Sequence, residues 1–292
     1  MGIEKITERQ VIGTFYKALS QDTGAAWIDK VSNYFQSDQG SEEYAWLGQS
    51  PVLREWIGGR NAKGFTENNL TIRNKHFEAT IEVLLKDLRR DKSGQALTRV
   101  QDLARRTNSH WASLLSTLII NGESTACYDG QSFFDTDHSE GDSGAQSNDI
   151  NSDISALPVA TAGTTTDPAV AEFQFAIAEG IQAIMGFKDN QGEPMNSDAS
   201  EFMIMVPTAY MNTAIQAVAT PAQVAETQSA LQAMKGQFGL QVVVNPRLTW
   251  TEKFVVFRTD SYLKSFIRQE ETDVQLKIKG YGSEYEFDND AH

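Results

Sequence analysis

The sequence predicts an α+β protein, and three observations carry that expectation. Residues 93–121 (SGQALTRVQDLARRTNSHWASLLSTLIIN) keep one helical period throughout, with Leu97, Val100, Ala104, Trp111, Leu114, Leu115 and Leu118 at three- and four-residue steps. The run from Phe202 to Val206 is apolar at every position, as a strand buried on both faces is. Helix-spaced and alternating segments otherwise follow one another along the chain, and no unit recurs at a fixed period.

The totals bound the answer. A chain of 292 residues points to about two domains of ~150 residues. With 40% hydrophobic and 10% aromatic residues it fills real cores. No run of ~18 apolar residues exists and the N-terminus is charged from Glu4, which predicts neither a membrane span nor a secretory signal. A single Cys127 rules out an intrachain disulfide and fits a reducing compartment. The net charge of −14 is unevenly placed: residues 1–120 hold 16 Lys+Arg and 14 Asp+Glu, residues 121–260 hold 5 and 18, and residues 261–292 hold 4 and 7. An acidic surface repels the closely spaced phosphates of duplex DNA, so sequence-specific nucleic-acid binding is not expected.

Taken in order, residues 7–34 space Val11, Phe15, Leu19, Trp27, Ile28 and Val31 helically, with Asp22-Thr23-Gly24 as a break, and predict a bent amphipathic arm. Its aromatic face is covered either by the chain's own core or by a neighbouring subunit. Residues 44–77 contain Gly48, Gly58, Gly59, Gly64 and Pro51, which forbid a continuous helix, while Leu70 to Arg73 and Phe77 alternate. This is an extended two-stranded ribbon with a basic tip and too little apolar surface to close a core. Glu78 to Leu85 alternates again and predicts a half-buried strand, and a polar turn leads into the long helix. That helix runs for about seven turns, ~40 Å at ~1.5 Å per residue. Ser93 is its expected N-cap and Asn121-Gly122 its stop, with Gly122 left-handed. Arg99, Asp102, Arg105, Arg106 and Asn108 form its wet face.

After the helix, Asp129-Gly130 reads as a hairpin turn and residues 139–166 as a polar surface loop. Asp167-Pro168 opens a helix bearing Phe173, Ile177, Ile181 and Ile184. Residues 189–194 turn the chain into the buried run, a helix follows from Thr208 to about Ala219, and Thr220-Pro221 opens another through Met234. Leu240 to Val244 and Lys253 to Phe257 are further strands, joined around Asn245-Pro246 and Trp250. From Ser261, Tyr262, Phe266, Val274, Leu276, Ile278 and Tyr281 are expected in strands that return to the long helix and pair beside Glu78 to Leu85.

The runs YAWLGQSPVLREW, LTIRNKHFEATIEVLLKDLRRD, the long helix, CYDGQSFFDTDHS, FMIMVPTAYMNTAIQ and LQVVVNPRLT, in that order over about residues 44–260, resemble the major head (capsid) protein of Mu-like phages and prophages. The resemblance implies the tailed-phage and herpesvirus capsid fold of the Hong Kong ninety-seven type: an N-terminal arm (1–43), an extended loop (44–77), a peripheral domain on the spine helix (78–121 and 261–292) and an inserted axial domain (122–260). Family members usually continue beyond a segment like YGSEYEFDNDAH, so a further C-terminal strand is implied. The implied function is structural: a subunit that forms pentamers and hexamers and closes an icosahedral head around double-stranded DNA, contacted non-specifically. The resemblance also implies scaffold and portal partners, assembly in the host cytoplasm and a place in the virion, with no enzyme activity, cofactor, metal or membrane. Residues 54–106 carry 12 basic and 7 acidic residues, so the ribbon is expected to lie on an acidic neighbour through Arg54, Arg60, Lys63 and Arg73. Exposed ion pairs contribute only ~0–1 kcal/mol each. Burial of Trp46, Trp56 and Phe65 is therefore expected to drive more of the association.

Two alternatives come from other functions. A tail tube or sheath subunit also self-assembles. A metal-dependent hydrolase would use Asp135, Asp137 and His138, but on a strand Asp135 and Asp137 face one side and His138 the other, and three such ligands are few for a divalent ion. That cluster reads as turn-forming, and His110, beside Trp111, as a packing or capping residue.

Overall fold

The computed structural model describes residues 8–21, 26–44, 70–83, 94–127, 129–150, 163–219, 223–224, 227–228 and 230–279. Its centre is strand β4 (Glu201–Val206), hydrogen-bonded in parallel to β7 (Gly239–Val244) and antiparallel to β8 (Val255–Arg258). Side chains alternate across a strand, so the unbroken apolar run gives β4 two buried faces. Phe202, Ile204 and Val206 join Phe173, Ile177 and Ile181 of helix α5 (Val170–Gly186), Ala214 and Ala217 of α6 (Met211–Ala219) and Leu231 of α7 (Ala230–Lys235). Met203 and Met205 face the other way, onto Trp27, Ile28 and Val31 of α2 (Trp27–Val31), Ala112, Leu115 and Ile119 of α4 (His110–Ile120) and Phe266. One strand thus joins segments from the two ends and the middle of the chain into a layered α+β body. A third, smaller cluster packs Phe15 and Ala18 of α1 (Glu8–Leu19) on Ala104 of α3 (Gln95–Asn108), with Leu276 beside them. The arm's inner aromatic face is therefore covered by the chain itself.

The spine helix is two helices. Ser109, at φ −81° and ψ 1°, separates α3 from α4. Thr107 turns its hydroxyl back onto the Leu103 carbonyl and Ser109 onto that of Arg106, competing with the backbone ladder. Asn108 leaves the helix surface altogether and donates to the carbonyls of Leu19 and Gln21 at the end of α1, at 3.2 and 2.7 Å. The N-cap is Gly94, left-handed at φ 72°; Ser93 lies outside the described residues. Gly122 is not left-handed. Its role is space: a Cβ there would sit 2.5 Å from the Phe134 ring.

Residues 78–83 form no strand, and 84–85 lie outside the described residues. Ile81 and Val83 are half-buried and Glu78, Thr80 and Glu82 exposed, so the alternation reports which side is covered, whereas a ladder also needs a partner edge. The expected partner is engaged elsewhere. β9 (Phe266–Glu270) pairs in parallel with β1 (Ser32–Gln36), from Ser32↔Phe266 to Gln36↔Glu270. Val274, Leu276 and Ile278 are not in strands, and Tyr281 lies outside the described residues.

The remaining elements follow local chemistry. Gly130, at φ 86°, turns the chain after Asp129, whose carboxylate accepts the Gln131 amide. The α5 helix starts at Val170, with Glu172 reaching back to accept the Ala169 amide at 2.8 Å. Asp189 accepts the amides of Gln191 and Glu193, both at 2.9 Å, to make the 189–194 turn. A 3-10 turn (Thr208–Tyr210) precedes α6. The helix expected from Thr220 is confined to α7; before it, β5 (Gln223–Val224) and β6 (Thr227–Gln228) form a small hairpin.

Candidate functional site

The extended ribbon leaves the body from a well-defined root. β2 (Ser41–Tyr44) pairs antiparallel with β3 (Leu70–Arg73), from Ser41↔Arg73 to Tyr44↔Leu70. Arg73 is exposed at the end of that ladder. Trp46, Arg54, Trp56, Arg60, Lys63 and Phe65 lie outside the described residues.

What fastens the root is mostly polar. Gln269 on β9 receives the Tyr44 hydroxyl at 2.8 Å and donates to the Asn74 side-chain oxygen at 2.7 Å. Asn74 in turn donates to the Gln39 carbonyl (2.7 Å) and to Glu271 (3.0 Å), and its amide meets the Gly40 carbonyl. The Ser37 hydroxyl donates to Glu42 at 2.8 Å, and its amide to the Glu270 carbonyl at 2.9 Å. Tyr44 is the one buried aromatic, tilted against Phe35 at 5.4 Å. Burial and the nearby Glu42 charge push its hydroxyl pKa up, keeping it a donor. Hydrogen bonds are directional, so this network sets the angle at which the ribbon departs as well as where it departs. Period and charge gave no sign of Ser37, Asn74 and Gln269; their only trace is polar residues at the margins of alternating segments.

On the other side of the β1·β9 pair, Tyr34 donates to Glu270 at 2.6 Å, and that bond with burial and the Glu270 charge raises the phenol pKa. Arg268 pairs with Asp29 and lies over the Tyr34 and Trp111 rings, 5.5 and 5.7 Å from their centroids.

Adjacent to the root is a groove of about 1450 Å³, lined by the 123–150 segment, the outer side of α5 with residues 187–198, and residues 250–267. Ile72 and Asn33 stand at its edge. Leu118, Ile150, Met195 and Tyr262 line it while remaining 39, 43, 45 and 84% exposed. Its floor is fixed by a clamp in which Arg258 donates to Asp260 (2.8 Å), Asp198 (2.9 Å) and Asn196 (3.0 Å). Burial opposes ionisation of Asp260, but Arg258 and the amide and hydroxyl of Ser200 outweigh it and hold the carboxyl at about 2. Cys127 also lines the groove; burial and the Asp129 charge push its thiol up to about 11, so it is neutral and a poor nucleophile.

The Asp135, Asp137, His138 cluster is turn-forming. Asp135 accepts the Thr136 amide at 2.7 Å and the Ser132 amide at 3.4 Å, while its own amide and carbonyl tie to residues 148 and 149. His138 is paired through Nδ1 with Asp129 at 2.6 Å, and Asp137 is exposed. Among the described residues no group of three His, Cys, Asp or Glu side chains is placed to hold a metal ion. His110 packs its ring edge-on against Phe77 at 4.4 Å. No helix among the described residues is long and apolar enough to cross a membrane.

Comparison with known proteins gives a consistent set. The family described as Mu-like prophage major head subunit gpT matches residues 7–162. The Mu-like prophage FluMu major head subunit of Haemophilus influenzae is 38% identical over 125 residues, 43% of this chain and 39% of that protein. The major capsid protein of Escherichia phage Mu is 33% identical over 110 residues, 38% of this chain and 36% of that one. The chain thus spans about four-tenths of the length of the curated relatives it matches. Among solved structures, the bacteriophage JBD30 capsid superposes with a TM-score of 0.57 at 22% identity, covering 78% of this chain and 94% of that one. The JBD30 procapsid gives 0.56 at 22% identity, with 83% and 100% covered. The fold is that of the tailed-phage capsid proteins.

Proposed function

The chain belongs to the Mu-like prophage major head subunit family, and on that premise we propose that it is the shell subunit of a phage head. It assembles as pentamers and hexamers into a closed icosahedral shell around double-stranded DNA, in the division expected from its sequence: arm 1–43, ribbon 44–77, peripheral domain 78–121 with 261–292, and axial domain 122–260. A head-to-tail contact repeated around a ring closes when its rotation permits, and one subunit serves both ring sizes only if its contacts bend at defined points.

The observation that supports this most is the ribbon root. A two-stranded extension fastened by directional polar contacts to β9 has nothing of its own to cover it along residues 45–69, and a neighbouring copy is the surface available at every position of a shell. Arg54, Arg60, Lys63 and Arg73 then meet carboxylates of the next copy, while Trp46, Trp56 and Phe65 supply most of the buried area. The net charge of −14 favours a lining that holds packaged DNA weakly. Scaffold and portal proteins are the expected assembly partners. Minor capsid proteins are further candidates, because trimers of one decorate the JBD30 capsid.

Deleting residues 57–69 tests the reading. The account expects a folded, soluble subunit, with unchanged circular dichroism and unfolding midpoint, that forms no closed shells under electron microscopy. Normal shells from the deleted chain would overturn it, and tubes of constant diameter from the intact chain would assign it to a tail instead.

A further inference from the structure

We propose that the groove beside the ribbon root is the receptor for the ribbon tip, residues 54–65, of a second copy of the chain. The inference rests on the shell-subunit reading and adds to it the surface on which the ribbon lies.

Size is the first argument. At about 1450 Å³ the groove exceeds the ~300–1,000 Å³ typical of small-molecule pockets and accommodates several side chains of a polypeptide. Its surface is the second. Leu118, Ile150, Met195 and Tyr262 are large apolar side chains left open along one concave wall, where scattered single exposures are the norm. Tyr262 is not a loose surface residue: Asn33 donates to its carbonyl at 2.9 Å and accepts the Lys264 amide at 2.7 Å, so the most exposed ring in the described structure is presented from a fastened loop. A ring held in place loses little freedom on being covered, the property of an interface anchor.

Charge selects the occupant. Carboxylates outnumber cations along the lining, with Glu179 and Glu252 among them. The most basic part of the chain is the region that begins with the ribbon: residues 54–75 carry Arg54, Arg60, Lys63, Arg73 and Lys75 against Glu55 and Glu67, interleaved with Trp56, Ile57 and Phe65. The ribbon and the groove are unlike surfaces that complement each other, which is the requirement for a head-to-tail contact that propagates around a ring.

The test uses assembled particles of the full chain with Cys127→Ser as background. Arg60→Cys or Lys63→Cys in the ribbon is combined with Met195→Cys or Tyr262→Cys in the groove, and particles are treated with a short bis-maleimide reagent. Chain-to-chain ladders on denaturing gels are expected from all four combinations. Combining the ribbon positions with Ile12→Cys, on the outer face of α1, should give about tenfold less. Product confined within single chains, which would place a chain's own ribbon or its 151–162 segment in the groove, overturns the inference, as do equal ladders with Ile12→Cys. Particles that form normally but yield no ladder refute the groove alone; failure of the unmodified chain to form particles refutes the shell reading on which it rests.

Discussion

Strand β4 and the ribbon root are both built of strands, and they are held by opposite means. β4 places five consecutive side chains at 0–1% exposure between two helical layers, so its position follows from non-directional burial. The β2–β3 pair buries only Tyr44 among its described side chains, and is oriented by a chain of hydrogen bonds through Ser37, Asn74 and Gln269. Burial makes a body that folds; directional polar contacts aim a segment whose cover has to come from another molecule.

Breaking the first half of that contrast has the largest expected effect. Ile204→Ala removes a fully buried side chain from the middle of the sandwich and should cost ~2–5 kcal/mol in urea denaturation. A loss under ~1 kcal/mol would mean that β4 is not the central element. Asn74→Ala probes the second half. It removes the donor to Gln39 and Glu271 and leaves Gln269 without its acceptor, at ~1–3 kcal/mol for buried or partly buried partners. The unfolding midpoint should fall less than for Ile204→Ala, while the yield of closed particles falls more. The reverse order would erase the distinction between the two regions.

The smallest effect sharpens the contrast from inside the body. The Arg258 clamp shows that the sandwich also uses polar contacts, here to pin residues 196–200 to the end of β8. Asp260 is held at about 2, below its ordinary value of 3.8, so its contribution is fully present above about pH 4 and is lost as the pH falls towards 2. Asp260→Asn should flatten that acid limb of the stability profile and leave the profile near neutrality parallel to the parent's.

The same division explains what was legible in the sequence. The unbroken Phe202–Val206 run, the spacing of Phe173, Ile177 and Ile181 and the Asp129-Gly130 turn are local signals, and each is found where period or turn chemistry placed it. The break at Ser109 was hidden because it depends on Asn108 reaching the end of α1, 87 to 89 residues away in the chain. The pairing of β9 with β1 was hidden for a related reason. Alternation shows that one side of a strand is covered, but the choice between Ser32–Gln36 and Glu78 to Leu85 as its partner is made by packing across more than 200 residues, on the core of α2, α4 and Phe266. The ribbon was recognisable as a segment unable to close its own core. The Ser37, Asn74 and Gln269 network that aims it leaves no periodic trace.

Electron cryo-microscopy of particles assembled from the purified chain tests the central claim most directly. The account predicts closed shells in which density for residues 45–69 crosses from each subunit onto the next and enters its groove beside Met195 and Tyr262. Density that folds back over its own subunit, with neighbouring copies meeting elsewhere, would contradict it.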